Sequence, residues 1–230
     1  MDICPAKQDK AYLISVILPA YNEEGRINKT IEEVKRLMEN IEQSYEIIIV
    51  NDGSEDGTLL EAKAVSKEDG RIRIVSYELN RGKGYAVLQG IKVAKGDYVV
   101  MLDSDLEIKP YDIKAYIAAL KEGDIIIASK RHPKSHFKAP VVRKFLSYGF
   151  HILVRLLTGV KISDTQSGLK AFRTASARRI MSFITVKRYA FDVELLTVAT
   201  LLKMRIIELP AKVELRAGFS FRQVLRMMID

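Results

Sequence analysis

The sequence predicts an α/β fold, a mostly parallel sheet flanked by helices. Three observations predict it. Short apolar runs rich in β-branched residues recur through the first half of the chain. Amphipathic stretches with helical periodicity separate them. The strand-like runs are apolar on both faces, as expected of strands covered on each side by crossover helices.

Each element has its own signal. Residues 12–18 (YLISVIL) predict a first strand, ending at Pro19. Residues 24–42 place Ile27, Ile31, Val34, Leu37, Met38 and Ile41 at helical spacing. Residues 45–50 (YEIIIV) predict a second strand, stopped by the turn and cap residues Asn51-Asp52-Gly53-Ser54. Helices are then expected at 56–68, 84–94 and 111–121, alternating with strands at 71–77, 97–102 and 124–129. After Lys130 the pattern changes to a basic loop, an amphipathic helix over 141–157 and a loop at 163–168 (SDTQSG). Two helices (175–184 and 191–202), one or two strands within 205–215 and a basic helix at 219–229 complete the chain. Residues 1–11 read as a tail and 12–218 as one domain with halves 12–129 and 130–218. Residues 219–230 read as a terminal amphipathic helix.

The chain has 230 residues, 48% of them hydrophobic, enough to bury one sizeable core. Cys4 is the single cysteine, which excludes an internal disulfide framework and a Cys-rich metal site. No signal-peptide pattern opens the chain, and no run reaches the ~18 apolar residues of a membrane span. A soluble or membrane-surface protein is the expectation. The net charge of +8 is uneven: residues 130–188 hold 14 Lys+Arg against one acid, Asp164, whereas residues 1–129 hold 17 against 23. So one-sided a segment predicts an anionic partner.

Parallel sheets bind ligands beyond the carboxyl ends of their strands. Four predicted strand ends are chemically loaded: Pro19-Ala20-Tyr21-Asn22-Glu23, Asn51-Asp52-Gly53-Ser54, Asp103-Ser104-Asp105 and Ser129-Lys130-Arg131. Asp103 and Asp105 are two apart, so an extended chain turns both carboxylates to one side. Adjacent carboxylates repel unless a cation joins them, and hard oxygen ligands suit Mg2+ or Mn2+ with positions left for phosphate. Asp52 stands where α/β folds accept hydrogen bonds from a ribose or base. Gly82-Lys83-Gly84 opens a helix, a geometry suited to an anion. No P-loop is present and no G-x-G-x-x-G follows the first strand, which argues against a nicotinamide Rossmann enzyme.

These residues resemble the family-two glycosyltransferases of GT-A fold. The segments that carry the resemblance are ISVILPAYNEEGRI, IIIVNDGSEDGT, NRGKGYAVLQGIKVAKGDYVVMLDSD and IIIASKR. Within that family the chain is most similar to the dolichyl- or polyprenyl-phosphate sugar synthases, through RKFLSYGFHILVRLLTGVKISDTQSGLKAFR, RYAFDVELL and IIELPAKVELRAGFSFR. The resemblance implies an inverting, metal-dependent transfer of a hexose from UDP-glucose or GDP-mannose to the lipid phosphate. It implies that Pro19, Tyr21, Glu23, Val50 and Asp52 line the nucleotide pocket, with Lys83 beside it. Asp103, Ser104 and Asp105 would meet metal and diphosphate, with Glu107 as a third ligand and Arg216 and Arg222 as diphosphate partners. Arg131, with Arg143 and Ser147 four apart on one helical face, would hold the acceptor phosphate. Asp103, Asp105 and Arg131 would thus carry catalysis, and Asp164, Gln166 and Asp192 would contact the sugar. Amphipathic helices and basic charge imply a peripheral protein on the cytoplasmic membrane face, with a membrane-anchor partner open.

Alternatives remain at this stage. A related family-two enzyme with a saccharide acceptor shares the same donor residues. A nucleotidyltransferase would open with a Gly-rich Arg-Lys loop, which PAYNEE does not supply. A nucleic-acid-binding basic module would interleave aromatics with its charges; here Phe137, Phe145, Tyr148 and Phe150 follow apolar periodicity, so nucleic acid is not an expected partner.

Overall fold

The computed structural model describes residues 11–110, 112–135, 149, 155, 159–160, 162–165, 167–188 and 190–213. Eight strands form one sheet: β1 (Leu13–Ala20), β2 (Ser44–Asp52), β3 (Ile72–Tyr77), β4 (Tyr98–Leu102), β5 (Ile108–Pro110), β6 (Ile125–Ser129), β7 (Leu169–Arg173) and β8 (Ile206–Val213). The helices are α1 (Ile27–Glu39), α2 (Thr58–Glu68), α3 (Lys83–Val93), α4 (Ile113–Ala119), α5 (Thr174–Met181) and α6 (Phe191–Leu201).

Strand order is β3-β2-β1-β4-β7-β6-β8-β5. β1, β2, β3 and β4 pair in parallel. β7 is antiparallel to both β4 and β6, and β5 is antiparallel to β8. The sheet is therefore mostly parallel, as expected, with β5 and β7 running against the other six strands. β7, from the second half of the chain, sits between β4 and β6, so both halves build one sheet.

Side chains alternate between two cores. Val16, Leu18, Ile47, Ile49 and Val100 face α1, α2 and α4 through Ile27, Ile31, Val34, Ala62, Tyr116 and Ile117. Ile17, Ile48, Val50, Val99 and Met101 face α3, α5 and α6 through Ala86, Val87, Ile91, Ala177, Phe191 and Leu195. A strand covered on both sides has no solvent face, which is why these runs read as continuously apolar. Pro19 fits because β1 pairs with β4 only over Ile14–Ile17, leaving Pro19 beyond the ladder on that side. The expected helices over 141–157 and 219–229 lie outside the described residues.

Candidate active site

The chain runs outward through β2 and β3, then returns to β4 on the other side of β1. Such a reversal opens a crevice at the carboxyl ends of the strands. The loops after β1 and β2 are tied together there. The Asn22 amide donates to Ser54 Oγ (3.0 Å), the Glu55 amide to Asn22 Oδ1 (2.9 Å) and the Glu23 amide to Thr58 Oγ1 (2.7 Å). These bonds hold Asn22 in the left-handed region (φ 54°), which asparagine tolerates. Tyr21 is exposed beside it, and Ser104 Oγ donates to Glu23 Oε1 (3.3 Å), joining the β1 and β4 loops. Pro19 and Val50 pair in register and are buried, Val50 within the core under α3. Both stand at the carboxyl ends of their strands, at the floor of the crevice.

Asp52, at the end of β2, is held by the loop that precedes α3. Its carboxylate accepts from Tyr77 Oη (2.8 Å), Asn80 Nδ2 (3.0 Å) and the amides of Arg81 (2.8 Å) and Gly82 (2.9 Å). A carboxylate offers about four acceptor positions, and all are taken within the chain. Burial and the Asp52 charge push the Tyr77 phenol well above its ordinary value. Asp52 thus shapes the loop that delivers Lys83.

Lys83, the first residue of α3, lies between two acids: Nζ is 2.8 Å from Asp103 and 3.1 Å from Asp192. Asp192 Oδ1 in turn pairs with Lys170 Nζ at 2.6 Å, and Lys170 also donates to the Ser167 carbonyl. The result is an alternating row, Asp103–Lys83–Asp192–Lys170, running from the crevice into the core. Close packing of α3 on α6 sets it: a Cβ on Gly84 would stand 2.7 Å from the Phe191 ring. Burial opposes the Lys83 charge, but Asp103 and Asp192 outweigh it and hold the ammonium above the usual lysine range. Burial would raise Asp192 too, yet Lys170 and Lys83 keep it low.

Asp103 follows β4 and is one-third exposed. Its amide donates to the Gly168 carbonyl (3.1 Å), and a side chain on Gly168 would overlap its carboxylate. The strand ends at Leu102, and residues 103–107 form a turn: Leu106 N donates to Asp103 O (3.0 Å), Glu107 N donates to Asp105 Oδ1 (3.0 Å), and Leu106 has φ 51°. The extended strand expected to turn Asp103 and Asp105 to one side therefore stops at Leu102, and both acids, like Glu107, stand on the turn instead. Among the described residues no three His, Cys, Asp or Glu side chains gather into a metal-holding group. Burial raises the Asp103 carboxyl, the Asp192 and Asp105 charges add to that, and Lys83 opposes it. Two crowded hard carboxylates at a crevice fit Mg2+ or Mn2+, which complete their shells with phosphate oxygens.

At the end of β6, Ser129 Oγ bonds Ser163 Oγ (2.8 Å), and the Lys130 amide donates to Asp164 Oδ2 (3.0 Å). Glu208 accepts from the Ser163 amide (2.7 Å). Asp164 is buried in this stitch beside the strand end that carries Arg131. Arg143, Ser147, Gln166, Arg216 and Arg222 lie outside the described residues. Sequence reasoning missed Lys170, Tyr77, Asn80, Gly168 and Glu208. Lys170 left a signal, a lone cation inside the apolar run LKAF.

The family model for glycosyl transferase family 2 matches residues 15–181. The dolichyl-phosphate β-glucosyltransferase of Drosophila melanogaster is 36% identical over 90% of this chain and 69% of its own length. That of Dictyostelium discoideum is 36% identical over 87% and 65%. The chain thus spans about two thirds of the length of these relatives. Among solved structures, glucosyl-3-phosphoglycerate synthase from Mycobacterium tuberculosis, in complex with Mn2+, UDP and glucosyl-3-phosphoglycerate, is similar with a TM-score of 0.69. Its identity is 22%, covering 94% of this chain and 76% of that one, a likeness of fold. The chain therefore belongs to glycosyl transferase family 2, and within it its similarity is to the dolichyl-phosphate β-glucosyltransferases.

Proposed function

We propose that this protein transfers glucose from UDP-glucose to dolichyl or another polyprenyl phosphate, with inversion at the anomeric carbon. The observation that carries the substrate is the 36% identity to dolichyl-phosphate β-glucosyltransferases over 90% of the chain. The crevice supplies the chemistry. An oxygen of the lipid phosphate attacks C1 of glucose from the face opposite the nucleotide. The C1–O bond to the diphosphate breaks, and UDP leaves with that electron pair. A phosphate monoester has a second pKa of ~6, so the acceptor is mostly dianionic at neutral pH and needs no general base. Asp103 and Asp105 would hold Mg2+ or Mn2+, whose charge would offset that of the leaving diphosphate. Lys83, pinned beside Asp103, adds a preorganised positive charge at the same place. Tyr21 and Glu23 border the nucleotide side. Arg131, Arg143 and Ser147 would receive the acceptor phosphate.

No helix among the described residues is long and apolar enough to cross a membrane. A peripheral position on the cytoplasmic membrane face, through the basic segment 130–188, would bring the crevice to the lipid phosphate. The test is incubation with polyprenyl phosphate, Mn2+ and a panel of UDP- and GDP-sugars, with the lipid product read by mass. A glucosyl lipid from UDP-glucose is expected. A mannosyl lipid from GDP-mannose would overturn the donor, and no lipid product from any sugar would overturn the acceptor.

A further inference from the structure

Lys170 lies in the middle of the sheet on β7 and has no solvent exposure. Burying an ammonium costs several kcal/mol, and a buried ion pair replaced by apolar side chains of similar size often leaves stability unchanged or raised. The fold alone thus has no need of a lysine here. What an apolar residue would not supply is a charge at Asp192 and a donor to the Ser167 carbonyl. Both contacts lead to Asp103. Asp192 shares Lys83 with Asp103. The turn at Ser167 continues into Gly168, whose carbonyl receives the Asp103 amide. With Lys170 in place, Asp192 is already neutralised from behind and leaves part of the Lys83 charge to Asp103. Without it, Asp192 would depend on Lys83 for its counter-charge and draw it away from Asp103.

We propose that Lys170 and Asp192 form a buried positioning pair that fixes Lys83 and Asp103 for the donor diphosphate and its divalent cation. The inference rests on the functional reading above, in which Asp103 meets the metal and the nucleotide.

The experiment uses three full-length variants: Lys170→Met, the double variant Lys170→Met/Asp192→Leu, and Asp192→Asn. Thermal midpoint, affinity for UDP with Mn2+ by calorimetry, and kcat are measured on each. Lys170→Met leaves the buried Asp192 with its Lys83 contact but without the closer Lys170 charge, so its midpoint should fall. The double variant removes both charges and should recover the midpoint, while affinity for UDP with Mn2+ stays about tenfold or more below wild type and kcat stays depressed. A double variant that recovers stability, affinity and kcat together would show a structural pair only and overturn the proposal. Should the double variant not fold, Asp192→Asn decides: it keeps the shape and removes the charge. Weakened Mn2+-dependent UDP binding in the folded protein supports the positioning role, and wild-type binding overturns it. Wild-type protein that binds no UDP with Mn2+ would instead count against the functional reading itself.

Discussion

Gly168→Ala tests whether the crevice is as tightly specified as its geometry implies. The added methyl would overlap the Cγ and Oδ2 atoms of Asp103. The Asp103 backbone has little freedom to retreat, because its amide is bonded to the Gly168 carbonyl and its own carbonyl receives Leu106 N. The carboxylate must therefore move, against its 2.8 Å contact with Lys83. Forcing a methyl into packed structure costs ~1–3 kcal/mol. For a chain of this size that lowers the thermal midpoint by ~2–12 °C. The catalytic effect should be larger in kind: a ~1 Å misplacement of a site group costs ~100-fold, equivalent to ~2.7 kcal/mol in the barrier. The assay is kcat/KM for glucosyl transfer from UDP-glucose to polyprenyl phosphate, well below the melting temperature. Gly70→Ala is the control, since nothing lies within 4 Å of a Cβ there. Near wild-type kcat/KM in folded Gly168→Ala would refute the claim that Asp103 must stand where it does.

Other outcomes are expected from the same contacts. Asp105→Ala should abolish transfer with the fold intact, and chelation should do likewise, reversed by Mg2+ or Mn2+; circular dichroism and product formation check both. Glu46, buried at the opposite end of the sheet, would be raised by burial alone, but the Lys95 amide, Ser15 hydroxyl and Arg73 guanidinium hold it below the ordinary value. Its contribution is fully present above the unfolded value of ~4.3 and is lost as pH falls through the lower folded value. Glu46→Gln should therefore lower the thermal midpoint at neutral pH, with the difference shrinking in acid. If Arg143 holds the acceptor phosphate, Arg143→Ala should cut kcat/KM for polyprenyl phosphate about tenfold or more and leave UDP-glucose affinity little changed. Unchanged acceptor kinetics would remove Arg143 from the acceptor site.

Periodicity and strand ends were legible where one element decides its own face. Ile27, Ile31, Val34 and Met38 mark α1 because a helix buries every third or fourth residue, and all four are buried. The expected start at residue 24 was early because Glu24 and Gly25 bond across to Asp56, Gly57 and Glu61 instead of opening the helix. β5 spans three residues, too short for any period to emerge. β7 passes directly into α5, and its central Lys170 interrupts the apolar run. Asp52 was legible as a strand-end acid, whereas its four donors come from 77–82, and no local pattern announces partners that far along the chain.

The direction of β7 explains the largest omission. A parallel strand delivers to the crevice the residues C-terminal to it, so inspecting the end of each apolar run finds Asp52, Asp103 and Arg131. β7 runs the other way, with Leu169 paired to Leu102 at the crevice and Arg173 paired to Tyr98 at the far end. It delivers the residues N-terminal to it: Ser167 and Gly168 reach Asp103 and Lys170 before or as the strand begins. A rule built on strand ends is blind to that side. The same reversal places Lys170 one residue inside the sheet from the turn that braces Asp103, within reach of Asp192 on α6. The antiparallel strand thus closes the crevice and carries into the core the charge that holds its acids in place.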